Sequence, residues 1–554
     1  MTEAGRRGLD KARTTLERAL YGTALYRLSL RGRRPGALAF GPLDPWPGDA
    51  ERGAALLGGV YAFAGASVTA PSTPPWRPDG VSERWLEAMH GFGWLRDLNM
   101  LNSGEARQAG RRLTADWIER CGTWDALAWR ADVLGRRLVA WLSHSGLLLA
   151  EADHAAAEAH LASLAEQARH LGRVVTSGPD GAPRIAAVKG LLFAAVCLPG
   201  DDRGLAQAVA LLEHELERQI LADGGHEARS PAVQLSVFRD LVELRGLLAA
   251  ARKPPCEILR VAIDRMAPML RFFRHGDGGL ALFNGSHEQD PALIDLALAL
   301  GEAVGKSPSS APHSGFERLL AHRTLIITDI GAPTARSAAC AHGGTLSFEM
   351  SVEGQRMIVN CGAPTGDDQG WQDAMRATAA HSTAAIDDAD MLELLDDGGL
   401  GRCPKRVVSN RLEDAGNIWI DASHDGYRDL IGLTHRRRLY LTADGDNLRG
   451  EDILSGGGGG DGAVGRFTIR FHLHPGVKAS LTADGAGALL RLPNRQGWRM
   501  RVAGADLVIA DSVYLGVAGA RSRGEQIVLS GPLKGSATTI KWALSRVPAK
   551  EKKT

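Results

Sequence analysis

Apolar residues recur every three or four positions from residue 83 to about residue 304, and every second position over much of the chain from about residue 323 onward. The first period is that of helices with one buried face, the second that of strands with one buried face. The pattern predicts helices near 83–98, 104–120, 125–148, 150–174, 183–198, 203–222, 231–250, 256–273 and 290–304. Leu205, Val209, Leu212, Leu216 and Ile220 form one such stripe. Linkers such as Ser177-Gly178-Pro179-Asp180-Gly181 are short, which favours antiparallel helical neighbours. No strand pattern alternates with these helices, so neither a barrel of alternating strands and helices nor a doubly wound sheet fits. A ring or stack of helix pairs remains.

The alternating segments predict strands at 323–329, 345–351, 356–361, 417–423, 436–442, 466–473, 478–492, 497–510, 511–516, 524–529 and 538–546. Stretch 345–362 alternates about a Glu353-Gly354 turn, a hairpin pattern. Many antiparallel strands joined by Gly, Asp and Asn turns indicate a β-sandwich. The expected class is therefore α+β and multidomain. A helix and loop-rich entry occupies 1–80, with a helix in 8–34 and a loop-rich stretch over 36–73; helical repeats occupy 81–306, a sandwich 307–548 and a disordered tail 549–554. Gly456–Gly460 reads as a flexible loop, because no helix or Lys-Ser/Thr pair follows to make it a phosphate cradle.

Charge narrows the function classes. Lys+Arg 65 against Asp+Glu 64, a formal charge of +1, does not suit a general nucleic-acid binder. Six scattered cysteines without a CxxC read as free thiols in a reducing compartment. The first twenty residues lack the apolar core of a secretory signal, and no run of eighteen apolar residues occurs. A cytoplasmic location and no membrane insertion are the expectations.

Several residue groups are candidates for chemistry. Eight tryptophans precede residue 142 (Trp46, Trp76, Trp85, Trp94, Trp117, Trp124, Trp129, Trp141) and would either pack a core or stack on sugar rings. Trp94-Leu95-Arg96-Asp97 offers an arginine held by a carboxylate, either as a structural pair or to receive a substrate anion. Two glycines place His226 on a tight turn before a helix starting near Pro231, where free N–H groups favour an anion, although Ser230-Pro231 is also a plain helix cap. Arg376 and His381 lie in a polar segment between strands. His424, Asp425 and His435, or His472 with His474, could ligate zinc, but the spacing matches no zinc motif and hydrogen-bonded histidines explain it equally. No HExxH, GxSxG, Walker A or dinucleotide fingerprint occurs.

WLRDL at 94–98, Arg136-Arg137-Leu138 with Trp141, DGGHEARSP at 223–231 and HSGFERL at 313–319 together resemble the heparinase II/III-like polysaccharide lyase family. The likeness continues through GQRMIVNCG at 354–362, RATAAHST at 376–383, SHDGY at 423–427, HRRRLYL at 435–441, RFHLHPGV at 470–477, DSVYLG at 511–516 and QIVL at 526–529. The resemblance implies an incomplete (α/α) toroid followed by an antiparallel β-sandwich, and elimination across uronic-acid linkages of an anionic glycan. It implies that His381, His226 and Tyr427 handle protons, and that Trp94, Arg96, Arg136, Arg229, Gln234 and Arg376 hold substrate. The chain departs from the family's pattern where it matters: Val233-Gln234 stand where active lyases often present a Tyr-His pair, and Ser177–Gly181 lacks the Asn-His many members carry. β-Elimination needs a neutralised carboxylate, a base at C5 and an acid at the departing oxygen. Valine supplies neither proton function. The readings are thus a lyase-like enzyme on an anionic oligosaccharide or polysaccharide with no required cofactor, a noncatalytic carbohydrate-binding protein, or a structural or interaction protein on the same scaffold.

Overall fold

The computed structural model describes residues 15–16, 19–200, 202–366, 368–395, 398–456 and 465–548. The tail 549–554, most of the Gly456–Gly460 loop and the start of the predicted 8–34 helix lie outside them. The chain forms two compact units, Met1–Arg218 with Arg239–Val261, and Gln219–Phe238 with Ala262–Thr554. The helix Pro231–Ala250 contributes to both. Helix Glu257–Phe272 is likewise divided, grouping with the strands from Ala262 on, and Pro291–Gly301 groups with the strands, although their apolar period alone placed them with the other helices.

The first unit is helical. Gly104–Cys121, His154–Val174 and Ala182–Cys197 match the predicted segments within a few residues, and Asp202–Gln219 runs to the unit's edge. Ser103 and Asp153 accept the N–H groups of Ala106 and Ala156, so side chains cap two of these starts. The predicted 83–98 helix divides into Glu83–Gly91 and Leu95–Met100 at Phe92, which takes a left-handed conformation (φ 59°). Phe92 is buried against Trp76, Trp94, Trp117 and Trp141, with ring centroids 4.7–6.0 Å away, and that packing holds a conformation an isolated helix would avoid. The predicted 125–148 helix starts only at Ala131, because Asp125 ties the N–H groups of Leu127 and Ala128 into a turn. Ala131–Ser143 and Ala182–Cys197 meet backbone to backbone: a Cβ on Gly190 would lie 2.4 Å from the Gly135 Cα. The loop-rich stretch 36–73 also holds a helix, Ala50–Leu57, and a hairpin, Val60–Phe63 with Ala66–Thr69, too short for periodicity to reveal.

The second unit carries two antiparallel sheets. One runs, in spatial order, Lys478–Leu481, Gly487–Arg491, Gly497–Ala503, Ala537–Arg546, Asn447–Gly456, Leu433–Leu441, Asn417–His424, Val407–Asp414. The other runs Asp506–Tyr514, Ser522–Pro532, Arg466–Leu473, Gln355–Val359, Phe348–Val352, Thr324–Asp329, Phe316–Ala321, Ser310–Ala311, and Ala384–Ile386 also pairs with Arg466–Leu473. Leu319, Ile326, Phe348, Ile420, Leu439, Phe471, Trp498 and Trp542 belong to one buried cluster drawing on both sheets. The predicted 497–510 strand breaks at Gly504 (φ 89°) and its second half joins 511–516 as Asp506–Tyr514. Asn447–Gly456 escaped the reading because its inward face holds Gly450 and Asp452 beside Leu448 and Leu454. A Cβ on Gly450 would fall 2.0 Å from the Trp542 ring, so glycine is what admits the indole.

Candidate functional site

The Asp223–Gln234 turn belongs to the second unit, and its residues bind one another and the chain nearby. Asp223 accepts the Ser314 N–H and hydroxyl, each at 2.7 Å, tying DGGHEARSP to HSGFERL. The two glycines are sterically required, since a Cβ would sit 2.0 Å from the Arg265 carbonyl oxygen at Gly224 and 1.9 Å from Ser314 Oγ at Gly225. His226 is buried; its Nδ1 accepts the Ala228 N–H at 3.0 Å, so its Nε2–H donates to Gln219 Oε1 at 2.9 Å. Gln234 accepts the His226 N–H and donates to the carbonyls of Gly224 and Met266, bracing the turn. Arg229 donates to Ser314 O and to the buried Asp329 carboxylate, with its guanidinium 5.1 Å from the Phe316 ring. At the helix start, Pro231 has no N–H and the Ala232 N–H goes to Ser286 Oγ at 3.0 Å. His226, expected to handle protons, and Arg229 and Gln234, expected to hold substrate, have these polar groups in structural bonds instead.

His381 lies in the same unit, 2% exposed. Its Nδ1–H donates to the Ala377 carbonyl at 2.8 Å, which leaves Nε2 to accept from His342 Nδ1 at 3.2 Å, the rings meeting edge-on. Burial lowers its pKa to about 4, so the ring is neutral near pH 7. A base with that pKa and both nitrogens engaged has no free lone pair for a substrate proton. Arg376 donates to the carbonyls of Ala338 and Ala341, fastening the segment before the hairpin. Tyr427 is fully buried in the sandwich core, its hydroxyl donating to the Ala384 carbonyl at 2.8 Å; burial pushes its pKa upward. It cannot meet a glycan there.

The candidate metal ligands part company in the sandwich. His424 Nδ1 accepts the Gly426 N–H, His424 Nε2 donates to His435 Nδ1 at 3.3 Å, and His435 Nε2 donates to Asp452 at 2.7 Å. Asp452 also accepts from Arg437 Nε at 2.8 Å and Trp542 Nε1 at 2.9 Å. Burial works to raise the Asp452 pKa, but Arg437 and His435 outweigh it and hold the carboxyl below the usual range. Asp425 faces elsewhere and accepts the N–H groups of Lys405 and Arg406. His472 donates to Ala379 O at 2.9 Å and lies 2.8 Å from Ser512 Oγ, whereas His474 is part-exposed near Tyr514. Among the described residues, no three His, Cys, Asp or Glu side chains gather as metal ligands.

In the first unit, all the early tryptophans except Trp124 are buried, so they form core and do not line a sugar platform. Trp94 donates to the Met89 carbonyl. Arg136 is exposed, 3.7 Å from Asp132, while the neighbouring Arg137 is buried with its guanidinium 4.1 Å over Trp117. Arg96 pairs with Asp44 at 2.6 Å rather than with Asp97, which accepts the Asp49 N–H instead. Sequence reading missed the group that follows. Lys189 bridges Asp240 and Glu243 at 2.8 and 2.7 Å, and Glu243 also accepts Trp46 Nε1. Arg239 lies over the Trp46 ring at 4.3 Å, its buried Nε has no partner among the described residues, and burial lowers its pKa. The nearby carboxylates Asp44, Asp240 and Glu243 are each taken by other donors. Arg239 Nε–H is thus a buried donor left unsatisfied among the described residues. Only the fold brings residues 46, 189 and 239 together, so no local pattern marks them.

Comparisons with known proteins agree with this architecture. Residues 303–543 match the family model described as heparinase II/III-like, C-terminal. The chain is 32% identical over 557 residues to FtsZ-localized protein C of Caulobacter vibrioides (strain NA1000 / CB15N), covering 96% of this chain and 94% of that protein. Its fold is similar to a crystal structure of heparinase III (TM-score 0.74, 14% identity, 95% of this chain and 90% of that one). It is similar also to the heparan sulfate lyase HepC from Pedobacter heparinus (TM-score 0.61, 16% identity, 95% and 88%). The α/α-toroid and β-sandwich architecture expected from the sequence is therefore the one this chain has.

Proposed function

The chain belongs to the heparinase II/III-like family, and we propose that it is a noncatalytic interaction protein that localises with FtsZ. The observation that carries this reading is the state of the proton-handling groups. His226, His381 and Tyr427 are buried with their polar atoms spent on structural hydrogen bonds, and Val233-Gln234 stand where lyases of this family often present Tyr-His. A scaffold that has turned these three groups into braces does not offer them as acid or base for β-elimination. The near full-length likeness to an FtsZ-localized protein supplies the cellular setting, and the cytoplasmic location expected from the sequence is part of the proposal. The test is a fluorescent fusion expressed in a bacterium carrying FtsZ. Bands coincident with FtsZ that disperse on FtsZ depletion support the reading, and a distribution indifferent to FtsZ refutes it.

The second reading is retained action on an anionic, uronic-acid-containing glycan, as polysaccharide binding or lyase turnover. Arg239 over Trp46, its Nε without a partner among the described residues and Arg96 close enough to lower its pKa further, favours it. Incubation with alginate, glycosaminoglycan and glucuronan fragments would raise ultraviolet absorbance as an unsaturated uronate forms. A flat trace with folded protein removes turnover. Loss of glycan binding in Arg239→Ala would retain the noncatalytic form.

A further inference from the structure

The outer face of the sheet that begins with Lys478–Leu481 holds a groove of about 750 Å³ that no function discussed so far uses. Strand register lays its floor out in rows. Leu412 pairs with Trp419, Trp419 with Tyr440, Tyr440 with Arg449, Arg449 with Ala543, and Ala543 with Arg501. Side chains in register on one face of an antiparallel sheet stand side by side. This row is therefore continuous across six strands, apolar at one end and cationic at the other. The neighbouring row is Asp421, Arg438, Glu451 and Lys541, and its charges close on themselves: Arg438 meets Asp421 at 3.2 Å and Glu451 at 3.0 Å, and Lys541 meets Glu451 at 3.6 Å. Arg449 and Arg501 are exposed, and among the described residues neither has a carboxylate in ion-pair reach. The uncompensated charge of the groove is positive.

Ring orientation selects the class of ligand. Trp419 and Tyr440 lie against each other, centroids 4.6 Å apart and 34° from parallel, and the Arg449 guanidinium stands 5.5 Å from the Tyr440 ring. The Tyr440 hydroxyl donates to Asn417 Oδ1 at 3.2 Å, which fixes the ring. Tyr440 has Trp419 against one face and the Arg449 guanidinium over the other, so it offers no open platform on which a pyranose stacks. Its edge, where an aromatic ring carries partial positive charge, favours carboxylates, and the Trp419 side towards Leu412 favours an apolar side chain. Leu412, 61% exposed on the edge strand Val407–Asp414, extends the apolar end.

We propose that this groove docks an extended acidic peptide segment, which seats an apolar side chain between Leu412 and Trp419 and sets its carboxylates against Arg449 and Arg501. Strands about 4.8 Å apart put Trp419 and Arg501 roughly 19 Å apart, the reach of about six extended residues. The proposal goes beyond the preceding readings and stands whether or not the chain meets FtsZ.

The test uses the full chain, fluorescently labelled, on an array of immobilised ten-residue peptides graded in acidic and apolar content, with a hyaluronan oligosaccharide measured in parallel by calorimetry. Peptides both acidic and apolar should retain the protein, less so at high salt. Trp419→Ala, or Arg449→Glu with Arg501→Glu, should weaken that retention by about tenfold or more, as loss of anchoring groups does. Both arginines are exposed, so the double variant keeps its fold, shown by an unchanged circular dichroism spectrum, and decides the matter should Trp419→Ala fail to fold. Equal retention of basic peptides, wild-type retention by the arginine variant, or oligosaccharide binding at this groove without peptide binding would each overturn it.

Discussion

Two histidine pairs in the second unit have nearly the same internal geometry and opposite surroundings. His342 and His381 meet edge-on at 5.2 Å between centroids, His424 and His435 at 5.3 Å, with nitrogen separations of 3.2 and 3.3 Å. The first chain of donors ends on a backbone carbonyl, that of Ala377; the second ends on the Asp452 carboxylate, itself held by Arg437 and Trp542. Burial lowers the pKa of all four rings, so neither pair is charged near neutral pH. A histidine pair in this fold is thus no mark of catalysis. What distinguishes the pairs is how much else depends on the terminal acceptor.

The largest effect is expected at Asp452. Asp452→Ala would leave Arg437 as a buried cation and orphan His435 and Trp542, costing about 3–5 kcal/mol or abolishing folding. Urea denaturation followed by tryptophan fluorescence measures it, and a cost under about 1 kcal/mol would put the two pairs on an equal footing.

Acid should act on the carbonyl-terminated pair through His381. Its native pKa of about 4 lies below the ordinary 6.5, so the unfolded chain binds the proton first. The stability it contributes is complete above pH 6.5 and is lost as pH falls toward 4, by about 3 kcal/mol in all. His381→Asn keeps a donor for the Ala377 carbonyl and cannot titrate. Its stability should therefore fall less steeply than that of the wild type in this window; identical slopes would show that His381 does not titrate there.

A smaller effect is expected from His342→Leu, which removes one donor but leaves His381 tied to Ala377. About 1–3 kcal/mol should be lost, read as a lowered urea midpoint. A loss as large as that of Asp452→Ala would mean that the carbonyl-terminated pair carries more than the two bonds seen. Smallest is Arg136→Ala: the side chain is exposed and its nearest carboxylate contact is 3.7 Å, so stability should stay within about 0.5 kcal/mol. A change in glycan binding there would revive its reading as a substrate contact.

Local periodicity made most long helices and many strands legible, because burial on one face imposes a spacing that survives in the sequence. It failed where long-range packing overrode it. Phe92 breaks a helix because four tryptophans surround it, and Asn447–Gly456 hides as a strand because its core-facing positions include a glycine and a charged Asp452. The family motifs were visible too, and the structure shows why two of them go together: Asp223 and Arg229 of one bind Ser314 of the other.

The sequence by itself determined the fold class and carried the family's motifs, since both are written in residue identity and spacing. Only the tertiary structure decided what the remaining polar residues do. Whether a histidine is a base or a brace depends on which atoms lie within hydrogen-bond reach of its nitrogens, and those atoms can come from residues far along the chain, 39 positions for His342 and His381 and 17 for His435 and Asp452. The same holds for the groove on the outer sheet. Leu412, Trp419, Tyr440, Arg449 and Arg501 form one row because antiparallel register aligns them, a relation that sequence order does not contain.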